Sequence, residues 1–177
     1  MFVIKNFKII VFSIFLLFLS SQGKSEIKVA FVEMELLINE SLAGKSLIKK
    51  LNIINKTNTK KLKEAKEKLD IEKNDISQKK NVLSNDEYEK KVIALNIKFT
   101  SLQSDAKNKI ESLQSKRNIG MSKILNELNI ILSEYSNKNQ LTFIIDQKNI
   151  IIGKTDLNIT NEILKLLNQK ISKIDID

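Results

Sequence analysis

Residues 84–106 read SNDEYEKKVIALNIKFTSLQSDA, and the fold turns on this stretch. Ser84 followed by Glu87 has the form of a capping box, in which a hydroxyl and a carboxylate satisfy the free N–H groups of a starting helix. Behind it Tyr88, Val92, Leu95, Phe99, Leu102 and Ala106 recur at alternating spacings of four and three residues, the apolar seam of a coiled coil. Leu113, Arg117, Met121, Ile124, Leu128, Ile131 and Tyr135 prolong the stripe after a phase slip, so one helix is predicted over 86–137. Upstream, 45–83 contains neither Gly nor Pro. Ile48, Asn55, Leu62, Leu69, Ile76 and Leu83 recur every seventh residue, while the companion row Leu51, Asn58, Ala65, Glu72, Lys79 starts apolar and turns charged. Two such helices joined by a turn near 84–86 fold back as an antiparallel hairpin over 45–137. The first would span about 58 Å at 1.5 Å per residue. A hairpin that long and thin cannot enclose a globular core, so it is expected to project as an arm.

The flanks change period. Residues 27–32 alternate as a strand, with Ile27, Val29 and Phe31 on one face, and a short amphipathic helix follows at 34–40. Ser41 and Gly44 are expected to break or bend the chain there. Residues 141–145 and 150–152 are strand-like runs on either side of 146–149, read as a β-hairpin. Asn158 or Thr160 then caps a closing helix with the stripe Ile159, Ile163, Leu166, Leu167, Ile171. The expected fold class is α+β: a small β body of about three strands plus short helices, built from 26–44 and 138–177, with the helical hairpin inserted between β1 and β2. A body that small is marginal alone and leaves sheet edges open. A homo-oligomer is therefore expected, joined through Ile27, Val29, Phe31, Phe143, Ile145, Ile150 and Ile152.

The chain begins with an address. Lys5 and Lys8 precede an apolar run over 9–19, broken only by Ser13, and then come Ser20, Ser21, Gly23 and Ser25. The run falls short of the roughly 20 residues that span a bilayer. It reads as a secretory signal peptide over 1–25, cleaved near 23–25, so the product is expected to be an exported protein of the bacterial envelope.

Composition narrows the chemistry. The 177 residues carry 30 Lys or Arg against 21 Asp or Glu, a net charge of +9, with no Cys, His, Trp or Pro. Disulfides, thiol nucleophiles and imidazole catalysis are excluded, and a zinc site would need carboxylates alone. An enzyme has little support, since nothing places a pair of carboxylates in a pocket, and no cofactor or metal is expected. Twelve lysines against five acids over 45–83 place +7 on the first arm helix. The single Arg, Arg117, and the lack of aromatics among the lysines argue against nucleic acid. An anionic partner remains: an acidic polypeptide, an anionic lipid or a lipopolysaccharide surface. Exposed charges are screened beyond about 8 Å at physiological salt, so these lysines would capture and steer rather than hold.

Two further expectations concern the arm. Where the companion row turns to Glu72 and Lys79 the seam thins, so Leu69, Ile76, Val82, Leu83, Tyr88 and Val92 are expected to offer apolar atoms to a bound polypeptide. Gly120 costs about 1 kcal/mol relative to Ala inside a helix, and it faces a run of poor helix formers that includes Asn52 and Asn55. Gly120, Asn52 and Asn55 are therefore expected to mark a hinge near the root.

The order of signal peptide, strand, helical hairpin, β-hairpin and closing helix resembles the Skp (OmpH-like) family of periplasmic chaperones. The resemblance rests on 28–45, KVAFVEMELLINESLAGK, and on 141–153, LTFIIDQKNIIIG, followed by Leu157-Asn158-Ile159-Thr160. The family usually has Asp where Glu33 stands and an Asp-Ile-Thr helix start where this chain has Asn158; both changes keep polarity and capping ability. The resemblance implies a homotrimer whose sheets join into a body, with three arms around a cavity that holds unfolded outer-membrane β-barrel proteins without ATP. The alternative reading is a structural envelope spacer or adaptor that uses the hairpin as a passive coiled coil.

Overall fold

The computed structural model describes residues 27–176, so the segment read as a signal peptide lies outside the described residues. Strand β1 (Val29–Val32) leads into helix α1 (Met34–Glu40), then α2 (Leu42–Gln78) and α3 (Asn85–Asn139), strand β2 (Phe143–Asp146), and helix α4 (Thr160–Lys170). Helices α2 and α3 are 37 and 55 residues long, or about 56 and 82 Å. They form the arm, and it is inserted between the two strands.

The arm's tip follows the capping chemistry. Ser84 Oγ accepts from Glu87 N–H at 3.3 Å while Ser84 N–H donates to Glu87 Oε2 at 3.2 Å. Hydrogen bonds from the Ser84 side chain and backbone hold the Glu87 carboxyl below its ordinary pKa. Helix α2 ends at Gln78, short of the expected 83. Lys79 leaves helical geometry, and the Val82 and Leu83 N–H groups both turn back to the Lys79 carbonyl.

At the root, the break falls at Ser41 alone. Its hydroxyl donates to the Ile38 carbonyl at 3.2 Å and accepts from Gly44 N–H at 3.0 Å, closing α1 and capping α2 together. Gly44 lies inside the first turn of α2 rather than at a bend. A Cβ there would collide with the Ile38 carbonyl oxygen, so this glycine lets α1 and α2 cross closely.

The sheet has two strands, not three. β1 and β2 run parallel, with Val29 opposite Phe143 and Phe31 opposite Ile145. The expected β-hairpin is absent because Asp146 ends β2. Its carboxylate accepts from Lys148 N–H at 3.3 Å and pairs with Lys148 Nζ at 3.1 Å, starting a 3-10 turn over Gln147–Asn149. Burial would raise the Asp146 carboxyl, but hydrogen bonds from the Lys148 side chain and backbone outweigh it and hold the pKa low. The chain then turns away, and Ile151 and Ile152 stand in solvent, 99% and 91% exposed.

Beneath the sheet, Ala30 and Val32 meet Leu37, Ala43, Leu47, Ile124, Leu128, Ile163 and Leu167 in one aliphatic core. Helix α4 faces it with Ile159, Ile163 and Leu167, while Leu166 turns outward. Beyond α4, Ile174 and Ile176 are buried in the same core.

Two outcomes follow. Gly44→Ala should lower stability by about 1–3 kcal/mol, the range for overpacking a closed site. It would be read as a lower urea midpoint with unchanged slope at fixed protein concentration. Because the folded-state pKa of Glu87 is depressed, its capping contribution is complete above the ordinary carboxylate range and lost as pH falls through the depressed value. Cα chemical shifts of residues 85–88 should therefore lose helical character on acidification in the wild type. In Ser84→Ala, which keeps the backbone donor, that acid transition should move up toward the ordinary carboxylate range; an unmoved transition would exclude the proposed origin.

Candidate functional site

The two interaction surfaces suggested by the sequence are the arm and the outer face of the sheet. On α2 the covered side runs Leu51, Ile54, Asn58, Leu62, Ala65, Leu69, Glu72, Ile76; on α3 it runs Tyr88, Val92, Leu95, Phe99, Leu102, Ala106, Lys109, Leu113, Lys116, Gly120. The phase slip expected after Ala106 comes later, where Ile124, Leu128 and Ile131 carry the stripe on beyond Gly120 while Lys123 is exposed. Lys109 and Lys116 keep the seam in register, and Arg117 is exposed. At the root Ile48 and Asn55 face solvent and Ile54 takes the inner place. Lys109 and Lys116 can stand in the seam because their long stems cover apolar surface while the ammonium reaches water.

The thinning seam is closed rather than open. Lys98 on α3 reaches both carboxylate oxygens of Glu72 on α2, at 2.6 and 2.8 Å. One turn on, Ile76 is only 5% exposed and Leu95 6%. Of the residues expected to offer apolar atoms, Ile76 is therefore consumed by the hairpin. Leu69, Leu83, Tyr88 and Val92 are half-buried, and Val82 at the tip is 83% exposed. The sequence reading missed a second apolar surface on the back of α3. Ile93 and Ile97 are exposed there, one turn apart, in a shallow groove with Asn96, Thr100, Ser101 and Ser104. The only charge over 92–104 is Lys98, already bound to Glu72. Isoleucine off the heptad rows is the signal that would have found it.

The sheet's outer face carries Val29 and Phe31 from β1 and Phe143 and Ile145 from β2. Phe143 and Ile145 are exposed, as are Ile27 and Ile152; Val29 and Ile150 are half-buried. Phe31 is buried within its own chain, its ring lying against Gly153. Val29, Phe31, Phe143 and Ile145 therefore share one face of the sheet, and Ile151 and Ile152 are exposed in the segment that follows β2.

The expected hinge residues meet a packed root. Helix α2 is unbroken through Asn52 and Asn55, both exposed. Gly120 is buried; a Cβ there would collide with Leu47 Cδ1 and come within 3.0 Å of Ile176 Cγ2. The glycine thus makes room for two core side chains.

Where the body closes, Glu33 and Asn158 meet. Asn158 Nδ2 donates to Glu33 Oε1 at 3.2 Å, and Asn158 Oδ1 accepts from Thr160 N–H at 2.9 Å. Thr160 Oγ1 in turn accepts from Glu33 N–H at 2.9 Å. An aspartate at 158 would have no N–H for the Glu33 carboxylate, so the two departures from the family's usual residues form one contact. Among the described residues no acidic cluster converges as a metal site.

Residues 28–167 match the family described as outer membrane protein (OmpH-like). The fold is similar to the crystal structure of an OmpH-like protein from Caulobacter crescentus, there proposed to be an outer membrane chaperone. The TM-score is 0.81 at 18% identity, over 89% of this chain and 94% of that one. No curated protein matches the chain. The family match spans most of the sequence and runs from β1 through the arm into α4, so this chain belongs to the OmpH-like family of outer membrane proteins.

Proposed function

We propose that the protein is an ATP-independent periplasmic holdase that takes up unfolded outer-membrane β-barrel proteins between the arms of a homotrimer. The family and the structural likeness support a chaperone-type role. The observation that carries the finer reading is the outer sheet face. A two-stranded sheet is marginal in water, and this one presents Phe143 and Ile145 with no further strand from its own described residues to cover them, while Ile151 and Ile152 stand exposed in the segment after β2. Copies of the same chain would cover the face and close the edges, and the arms would then hang from a shared body.

The arms offer a client many small apolar contacts: Leu69, Val82, Leu83, Tyr88 and Val92 toward the tip, and Ile93 and Ile97 on the back of α3. At about 25 cal/mol per Å² such contacts hold loosely and let go, as a carrier without ATP requires. The lysines of α2 supply steering toward acidic clients, or toward anionic lipid or lipopolysaccharide at the membrane. A swing about Gly120, Asn52 and Asn55 would widen the cavity, and it would have to part Gly120 from Leu47 and Ile176.

The competing reading, a passive spacer, is separated by activity. Dilution of urea-unfolded outer-membrane barrels into the protein should suppress their aggregation at about one trimer per client; no suppression at that ratio would favour the spacer. Phe143→Asp with Ile145→Asp should shift the native mass from trimer to monomer and abolish suppression, since each buried carboxylate would lose its hydration without a partner. A trimer that persists in this variant removes the sheet-face assembly.

A further inference from the structure

Beyond α4 the chain runs back along one side of the arm's root. Residues 171–176 form neither helix nor sheet, yet over 173–176 the side chains alternate as in a strand: Ile174 and Ile176 are buried, 4% and 2% exposed, and Lys173 and Asp175 are exposed. Ile174 and Ile176 join the core cluster that contains Leu47, Ile124 and Leu128, and Gly120 leaves the space that Ile176 enters. Two lysines of α3, seven residues apart, donate to main-chain carbonyls of this segment. Lys116 Nζ donates to the Ile176 carbonyl oxygen at 2.9 Å, and Lys123 Nζ to that of Asp175 at 2.6 Å. The Asp175 carboxylate lies 3.8 Å from Lys50 of α2.

The groove therefore reads two features: apolar side chains at alternate positions and main-chain carbonyls between them. Every polypeptide supplies the second. The first is the pattern of a barrel strand, whose lipid-facing residues alternate with lumen-facing ones. We infer that this groove is a binding site for extended polypeptide with apolar residues at every second position, and that residues 173–176 are its tethered occupant, displaced when such a segment arrives. The identity of the incoming segment rests on the chaperone reading above; the groove and its occupant do not.

Tethering gives the tail a high effective concentration at the groove. A groove open for a tenth of the time binds an outside segment about tenfold more weakly than one always open. A tail that only completes the core makes the opposite prediction, because its release would damage the groove and weaken binding.

The test uses the full exported chain and two fluorescent peptides of equal composition. One is a barrel strand with alternating apolar residues; the other has the same residues with the apolar ones contiguous. Ile174→Ser with Ile176→Ser releases the tail. The released variant should bind the alternating peptide about tenfold more tightly than the wild type by anisotropy, and the contiguous peptide should gain little. Lys116→Gln with Lys123→Gln in that background should remove the gain. Equal or weaker binding by a folded released variant overturns the inference. If that variant does not fold, hydrogen exchange on the wild type decides: protection of 173–176 should fall at saturating alternating peptide, and unchanged protection overturns the inference equally. Aggregation suppression on the same preparation separates the two levels. Tail displacement without suppression removes the chaperone reading and leaves the groove; suppression without tail displacement removes the groove alone.

Discussion

The structure depends on one pairing: β1 lies parallel to β2, although the backbones that meet at its edge, Lys28 and Thr142, are 114 residues apart. Antiparallel strands can be joined by a tight turn, but parallel strands need a crossover that returns the chain to its starting side. Here the crossover is the arm itself. Out along α2 and back along α3, the hairpin returns the chain to the level of β1, and α3 is long enough to reach past the root into the core. The remaining ties secure this return. Glu33, Asn158 and Thr160 lock the end of β1 to the start of α4, and Leu42 N–H donates to Asn168 Oδ1 at 2.7 Å, fixing the start of α2 on the same helix.

Along the arm, stability comes from the seam more than from charge. The Glu72–Lys98 pair and the i,i+4 pairs such as Lys60–Glu64 and Lys63–Glu67 are largely exposed, and exposed pairs contribute about 0–1 kcal/mol each. The buried Ile76 and Leu95 pin the outer part, and the Leu47–Gly120–Ile176 contact pins the base. Between them the covered row includes Asn58, Ala65 and Ala106, which bury little apolar area. The arm is thus anchored near both ends and weakly packed along part of its length.

How much of this could be read from the sequence depended on how local the cause was. The capping box at Ser84 and Glu87 and the seam from Tyr88 to Ala106 involve neighbours along the chain, and both appear as read. The phase slip was read too early, at Arg117 instead of beyond Gly120, because a pattern of apolar letters cannot see the lysine stems of Lys109 and Lys116. The shift from Asn55 to Ile54 is tertiary: the crossing of α1 over Gly44 sets the rotation at which α2 begins. The third strand was lost to a single side chain, since the capping of 147–149 by Asp146 competes with a hairpin. On the sheet face, alternation placed Phe143 and Ile145 correctly; Phe31 was covered from within by Gly153, a contact no local pattern shows. The apolar strip at Ile93 and Ile97 and the docked tail went unread because each is defined by what does not face the heptad partner.

The long return to β2 also sets the order in which the molecule comes into being. Contacts between sequence neighbours form early, whereas pairing across more than a hundred residues waits on closing a large loop. The coiled limb can wind as soon as its two halves have emerged, but β1 stays unpaired until β2 has followed it. Through that interval the nascent chain carries a bare apolar strand of its own in the compartment where its proposed cargo does the same. A protein built this way must survive, during its own maturation, the hazard from which it would shelter others.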